Sequence, residues 1–113
     1  AVNPRRRMHT VLEAGDQISE DLIRRLGIEE DWKNRFPAEL SGGEMQRFCL
    51  ARALGQRTKI LLADEISTML DLITQSQIWN FLLEEARTRN LSMVVVSHSD
   101  GLLEKVCTRI VKI

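Results

Sequence analysis

The chain reads as an α/β protein: a helical first half, then a parallel sheet with intervening helices. Two observations carry this. Up to about Leu54 the apolar residues recur at helical spacing. Beyond it, short apolar runs alternate with amphipathic stretches in the order strand–helix–strand–helix–strand, the pattern of a layer built on parallel strands. The periodicity changes near residue 56, so a helical part, 1–56, is followed by a sheet-bearing part, 57–113.

In the helical part, Thr10 and Glu13 have capping-box spacing and predict a short first helix. Ile18, Leu22, Ile23 and Leu26 form one apolar stripe, and Gly27 is a natural C-terminal stop. Trp32 and Phe36 are expected as core anchors around a short turn. Phe36-Pro37 marks a break, because the residue before a proline is pushed out of the α region. Ser41 then stands as an N-cap with Glu44 three residues on, a second capping box. Leu40 and Met45 have the spacing of a hydrophobic staple across that cap.

In the sheet-bearing part, Lys59 to Ala63 is an apolar run ending in Asp64-Glu65, the profile of a strand buried on both faces. Thr74 to about Thr88 predicts an amphipathic helix. Thr74 and Gln77 have capping-box spacing, and Ile78, Trp79, Leu82, Leu83 and Ala86 make its buried stripe. Met93 to Val96 predicts a second buried strand ending at Ser97-His98. Asp100 to Val106 predicts a short helix, and Arg109 to Ile113 a third strand.

The bulk composition excludes several classes. Hydrophobic content is 43% and charged content 28%, ordinary for a globular domain. Sixteen basic and 16 acidic residues cancel, so the basic excess of a nucleic-acid binder is missing. Arg5-Arg6-Arg7 is the one basic cluster and reads as solvated surface. Cys49 and Cys107 lie in apolar contexts without a C-x-x-C partner, which suits free thiols of a cytosolic protein. The apolar runs fall far short of the roughly 18 residues of a membrane span.

Three places carry candidate chemistry. The first is Leu40-Ser41-Gly42-Gly43-Glu44-Met45-Gln46-Arg47. It reads either as a well-capped helix or as a phosphate site. Gly42 and Gly43 in the first turn cost roughly 1 kcal/mol each relative to alanine. They are explained if a ligand approaches the backbone closely, and the free N–H groups and positive end of a helix favour a phosphate there. The second is Asp64-Glu65 at a strand end, either two acids in a turn or a cation ligand followed by a general base. The third is His98, at the end of the second strand. Parallel pairing of the two strands would set it beside Asp64-Glu65.

Together these segments resemble ABC-type ATPases. Leu40 to Arg47 resembles the family's signature motif, and Ile60-Leu61-Leu62-Ala63-Asp64-Glu65 its Walker B motif. Thr68-Met69-Leu70-Asp71 resembles the D-loop, and His98 the switch histidine. Asp64-Glu65-Ile66-Ser67-Thr68-Met69-Leu70-Asp71 with Thr74-Gln75-Ser76-Gln77-Ile78-Trp79 is most similar to the oligopeptide/dipeptide/nickel importer branch. Ala1-Val2-Asn3-Pro4-Arg5 resembles the segment after the Q-loop of nickel-type members. Two departures stand out. Glu44 replaces the commoner glutamine, and Ile66 replaces a proline that often follows the catalytic glutamate. The glycine-rich loop G-x-x-x-x-G-K-[ST] occurs nowhere in the 113 residues.

The resemblance implies a helical signature subdomain followed by part of a RecA-like P-loop NTPase sheet. It implies ATP and Mg²⁺ as ligands, with Asp64 on the metal and Glu65 and His98 as catalytic residues. Ser41, Gly42, Gly43 and Glu44 would face ATP held by a second ATP-binding subunit, and Asp71 would couple the two sites. It also implies transmembrane permease subunits, no nucleic acid, and a place at the inner face of the cell membrane. On this expectation the chain is a C-terminal fragment that starts just past the Q-loop, lacks ATPase activity alone, and self-associates through an exposed sheet edge. A soluble ABC protein without a permease, and a non-catalytic interaction domain of ABC descent, are the alternatives. The D-loop sequence and the intact Glu65 and His98 weigh against them.

Overall fold

The computed structural model describes residues 2–15 and 18–111. It resolves into two compact units, Ala1–Thr58 and Lys59–Ile113.

The first unit is helical. Helix α1 spans His9–Glu13, α2 Glu20–Arg25 and α3 Gly42–Ala53, with 3₁₀ turns at Glu30–Asn34 and Pro37–Glu39. Thr10 is not a cap. The N-cap is Met8, and the Thr10 hydroxyl donates instead to the Arg7 carbonyl at 2.7 Å. Met8 is fully buried and its N–H donates to the Arg35 carbonyl at 2.9 Å, so tertiary anchoring starts this helix, not a side-chain cap. Helix α2 follows local rules closely. Ser19 accepts from the Leu22 N–H, acids occupy the first turn and arginines the last, each matching the helix dipole. Leu22, Ile23 and Leu26 are buried, while Ile18 is half-buried. Gly27 ends the helix at φ +73°, a conformation an L side chain rarely adopts.

Helix α1 packs on α3, and Met8, Val11, Leu22, Leu26, Phe48 and Ala51 are all buried in this unit. The Arg47 guanidinium donates to the Leu26 carbonyl at 2.7 Å, fixing α3 to the end of α2. Trp32 and Phe36 are half-buried and do not serve as core anchors. The Phe36 ring instead carries the Arg7 guanidinium, 4.6 Å from its centroid. Phe36 is extended and Pro37 opens the 3₁₀ turn, as the X-Pro break predicts.

The second unit is a βαβ arrangement with a further helix. Strand β1 is Ile60–Asp64, α4 Leu72–Arg89, β2 Ser92–Val96 and α5 Asp100–Val106. The strands pair in parallel, from Ile60 opposite Ser92 to Asp64 opposite Val96. The fold class is α/β, as expected. Burial on both faces of the strands is not observed. Leu61 and Ala63 are buried, but Ile60 is 69% and Leu62 64% exposed, and Val94 and Val96 are exposed as well. One crossover helix joins the two strands, and one helix can cover only one face.

Helix α4 starts two residues before Thr74. Asp71 is its N-cap, and Thr74 is the residue whose N–H and hydroxyl bind that cap, at 2.8 and 3.0 Å. Ile78, Trp79 and Leu82 are buried as the stripe predicts, but Leu83 is exposed and Ala86 half-buried. Glu85 is buried on the same helix and pairs with Arg89. Asn90 closes α4 in the left-handed conformation. The predicted third strand does not form over residues 109–111, which are irregular; Lys112 and Ile113 lie outside the described residues. Ala1, quoted for the resemblance at the N-terminus, lies outside them too.

Candidate functional site

The first candidate site belongs to the helical unit. Ser41 is extended, φ −69° and ψ 165°, and caps α3. Its hydroxyl accepts from the Glu44 N–H at 3.1 Å, and the Glu44 carboxylate accepts from the Ser41 N–H at 2.9 Å. This reciprocal box holds the Ser41-Gly42-Gly43 turn in one conformation. Ser41 and Gly42 are exposed and Gly43 half-exposed, so the first turn of α3 is open to a ligand. A helix of 12 residues with bare glycine backbone at its start can direct several N–H groups at an anion.

The second candidate site is at the carboxyl ends of β1 and β2, where open parallel sheets bind ligands. Residues 33 apart meet there. The Glu65 carboxylate accepts from the His98 backbone N–H at 3.0 Å, and the His98 Nε2 lies 3.5 Å from the same Oε1. The Glu65 N–H in turn donates to the Val96 carbonyl at 2.8 Å, extending the ladder by one residue. There the backbone turns sharply: Glu65 has φ +52°. A non-glycine residue in that region carries strain of about 1–3 kcal/mol, which the surrounding hydrogen bonds must offset. The turn aims the carboxylate toward the β2 end and leaves Glu65 only 30% exposed, whereas the His98 ring is 99% exposed. His98 is therefore free to meet a ligand from solvent.

Asp64 ends β1 with its side chain exposed, and among the described residues its carboxylate has no hydrogen-bonding or ionic partner. No three His, Cys, Asp or Glu side chains converge among the described residues, so there is no dedicated metal cage. Mg²⁺ does not need one. It binds through one or two carboxylates together with substrate phosphates and keeps several waters. An open Asp64 beside a held Glu65 fits that donor set.

Residues 66–71 link this site to α4. The buried Ser67 hydroxyl accepts from the buried Trp79 indole N–H at 3.0 Å. The Gln75 amide donates to the Leu70 carbonyl at 2.8 Å. Asp71 caps α4, and the hydrogen bond from the Thr74 N–H, followed by that from its hydroxyl, holds the carboxyl below the ordinary value of 3.8. Met69 protrudes at the tip, 93% exposed. A cleft of ≈ 360 Å³ runs beside this turn, lined by Glu65, Ser67, Thr68, Ser97 and His98 among others.

The structure thus brings Glu65 and His98 into contact and sets Asp64 at the adjoining strand end. Asp71 stands six residues after Glu65 as a helix cap. Ser41, Gly42, Gly43 and Glu44 form a separate site in the other unit. Sequence reasoning names Thr68 and Ser67 only within the 64–71 stretch and gives neither a role, yet the Thr68 hydroxyl donates to Glu65 Oε2 at 2.6 Å. A hydroxyl three residues after a strand-end acid was the available signal.

Residues 2–68 match the family model described as ABC transporter. A methionine import ATP-binding protein of Listeria monocytogenes is 40% identical over 90 residues, 80% of this chain and 26% of that protein. The glutathione import ATP-binding protein GsiA of Pectobacterium atrosepticum is 38% identical over 89 residues, 79% of this chain and 14% of that protein. The oligopeptide transport ATP-binding protein OppF of Mycoplasma genitalium is 35% identical over 86 residues, 76% of this chain and 10% of that protein. The chain therefore spans about a quarter or less of the length of these relatives. Among solved structures, a dimeric bacterial ABC transporter cassette superposes with TM-score 0.72 at 25% identity, over 92% of this chain and 51% of that one. The same cassette after hydrolysis, bound to ADP and Pi, gives TM-score 0.62 at 33% identity over 73% of this chain and 35% of that one. With a family match across more than half its length and relatives 35–40% identical over three quarters of it or more, the chain belongs to the ABC transporter family.

Proposed function

We propose that these residues are part of the ATP-hydrolysing subunit of an importer, in the branch that takes up peptides or nickel. The observation that carries this is the pairing of Glu65 with His98 at the carboxyl ends of two parallel strands, with Asp64 open beside it. The relatives named for oligopeptides and glutathione favour the peptide side of that branch.

In this reading Asp64 would hold Mg²⁺, directly or through water, and the bound ion would supply neutralisation of phosphate charge. Glu65 takes the proton of the attacking water, with its Oε1 held by the His98 N–H and its Oε2 by the Thr68 hydroxyl. His98 donates to the γ-phosphate of ATP from its exposed ring. Ser41, Gly42 and Gly43 direct their hydroxyl and N–H groups at ATP bound by a second ATP-binding subunit, with Glu44 fixing their turn. Asp71 holds the start of α4 and couples the two sites through the 66–71 turn. Closure of the subunit pair would drive transmembrane permease subunits from the cytoplasmic face of the membrane. No helix among the described residues is long and apolar enough to cross a membrane itself.

The test is Glu65→Gln in the full-length gene product. ATP turnover should fall at least about 10²-fold while ATP binding persists, the size of a lost general base. Retained turnover would remove Glu65 from the reaction. For residues 1–113 alone, calorimetry should find no ATP binding of micromolar affinity, because these residues include no loop to hold the triphosphate. The bare Ile60, Leu62, Val94 and Val96 face should make this chain self-associate at high concentration. A clean monomer by light scattering would refute that.

A further inference from the structure

Three hydrogen bonds hold Glu65, and they come from two segments. Its N–H binds Val96 of β2, its Oε1 accepts from the His98 N–H, and its Oε2 accepts from the Thr68 hydroxyl at 2.6 Å. The first two come from backbone at the β2 end and survive any side-chain change. The third is a side chain, and it lies on the 66–71 turn. That turn is itself fixed: Ser67, the neighbour of Thr68, is buried and bonded to the buried Trp79 indole. The turn that presents the Thr68 hydroxyl is therefore anchored to α4.

A carboxylate bound at one oxygen can still swing about its terminal bond, which is broad and roughly two-fold. Bound at both oxygens by donors from two segments, it is held in one plane. A bond to an ionised acceptor is about twice as strong as a neutral one. From this we infer that Thr68 is a positioning residue for the hydrolysis step: its hydroxyl fixes the plane of the Glu65 carboxylate and ties that plane to the 66–71 turn. The inference rests on the reading of Glu65 as the base. It adds that a displacement of the turn, reaching Thr68, would release one carboxylate oxygen and so change the aim of the base. Thr68 is exposed, so this bond is made for geometry and not for burial.

The test compares Thr68→Val, which keeps the shape and loses the hydroxyl, with Thr68→Ser, which keeps the hydroxyl. In the full-length gene product, Thr68→Val should lower kcat roughly 10- to 100-fold, the scale of a small misplacement of a reacting group. The KM for ATP should stay within about twofold, and Thr68→Ser should restore most of kcat, because the contact acts on the base and not on nucleotide binding. Equal kcat in Thr68→Val and the parent, with Glu65→Gln inactive, overturns this inference and leaves the reading of Glu65 intact. Full turnover in Glu65→Gln overturns both. A second readout needs no turnover. In residues 1–113, amide exchange at His98 should accelerate in Thr68→Val and not in Thr68→Ser, since a swinging carboxylate leaves that N–H unbonded part of the time. Unchanged exchange at His98 in Thr68→Val also overturns the inference.

Discussion

Ser67→Ala tests whether the turn between Glu65 and α4 is held by one buried hydrogen bond. The Ser67 hydroxyl and the Trp79 indole N–H are 3.0 Å apart, and both residues are buried, 4% and 5% exposed. Removing the hydroxyl leaves the indole N–H of the buried Trp79 without this acceptor. An orphaned buried donor costs about 1–3 kcal/mol, more than the net worth of the bond itself. Trp79→Phe removes the donor but also shrinks a buried ring, so its cost mixes packing with hydrogen bonding. The double-mutant cycle separates them, because the lost ring volume is common to both arms with Phe at position 79. A coupling of about 1 kcal/mol is expected between the two positions. The assay is urea unfolding followed by far-UV circular dichroism on the four variants, with thermal unfolding as a check. Ser67→Ala alone should lower Tm by roughly 4–8 °C per kcal/mol for a domain of this size. If Ser67→Ala is neutral and the two changes add within about 0.3 kcal/mol, the turn is not held this way. The anchoring of the turn that presents Thr68 would fall with it.

Three further outcomes follow from the same structure. Ser41→Ala removes the acceptor of the Glu44 N–H and should destabilise α3 by about 1 kcal/mol in urea unfolding, with Ser41→Asn close to the parent. Gly27→Ala should destabilise by about 1–2 kcal/mol, because φ is +73° and the added Cβ meets only Arg47 Nη1 at an ordinary 3.5 Å; the cost is backbone, so it should appear without loss of packing by near-ultraviolet circular dichroism. Asp71 has its folded pKa lowered by the Thr74 N–H first and its hydroxyl second, so its cap stabilises α4 fully above the ordinary value of 3.8 and loses that contribution as pH falls through the lower folded pKa. Asp71→Asn should flatten this part of the stability–pH curve in acid, and an unchanged acid limb would refute the cap.

The features legible in the sequence are those set by neighbours in the chain. The Ser41–Glu44 box needs only a three-residue spacing and forms as predicted. Gly27 stops α2 and Pro37 opens a turn because their backbones restrict or permit φ locally. The Glu65–His98 contact was also within reach, because parallel neighbours must end side by side. Caps that compete were harder. Thr10 and Thr74 both had capping-box spacing, but Met8 was anchored by Arg35 and Asp71 offered a carboxylate three residues ahead of Thr74. Burial was hardest, since it depends on what lies opposite a residue. The β1 run looked buried on both faces, yet Ile60 and Leu62 are bare and Glu85 is enclosed.

By itself, then, the sequence determined the family, the α/β class and the identity of the strand-end groups. These rest on residue type and spacing, which the chain carries linearly. Only the tertiary structure decided how the Glu65 carboxylate is held. Its three contacts come from positions 68, 96 and 98, and the left-handed turn that aims it is strain that long-range hydrogen bonds sustain.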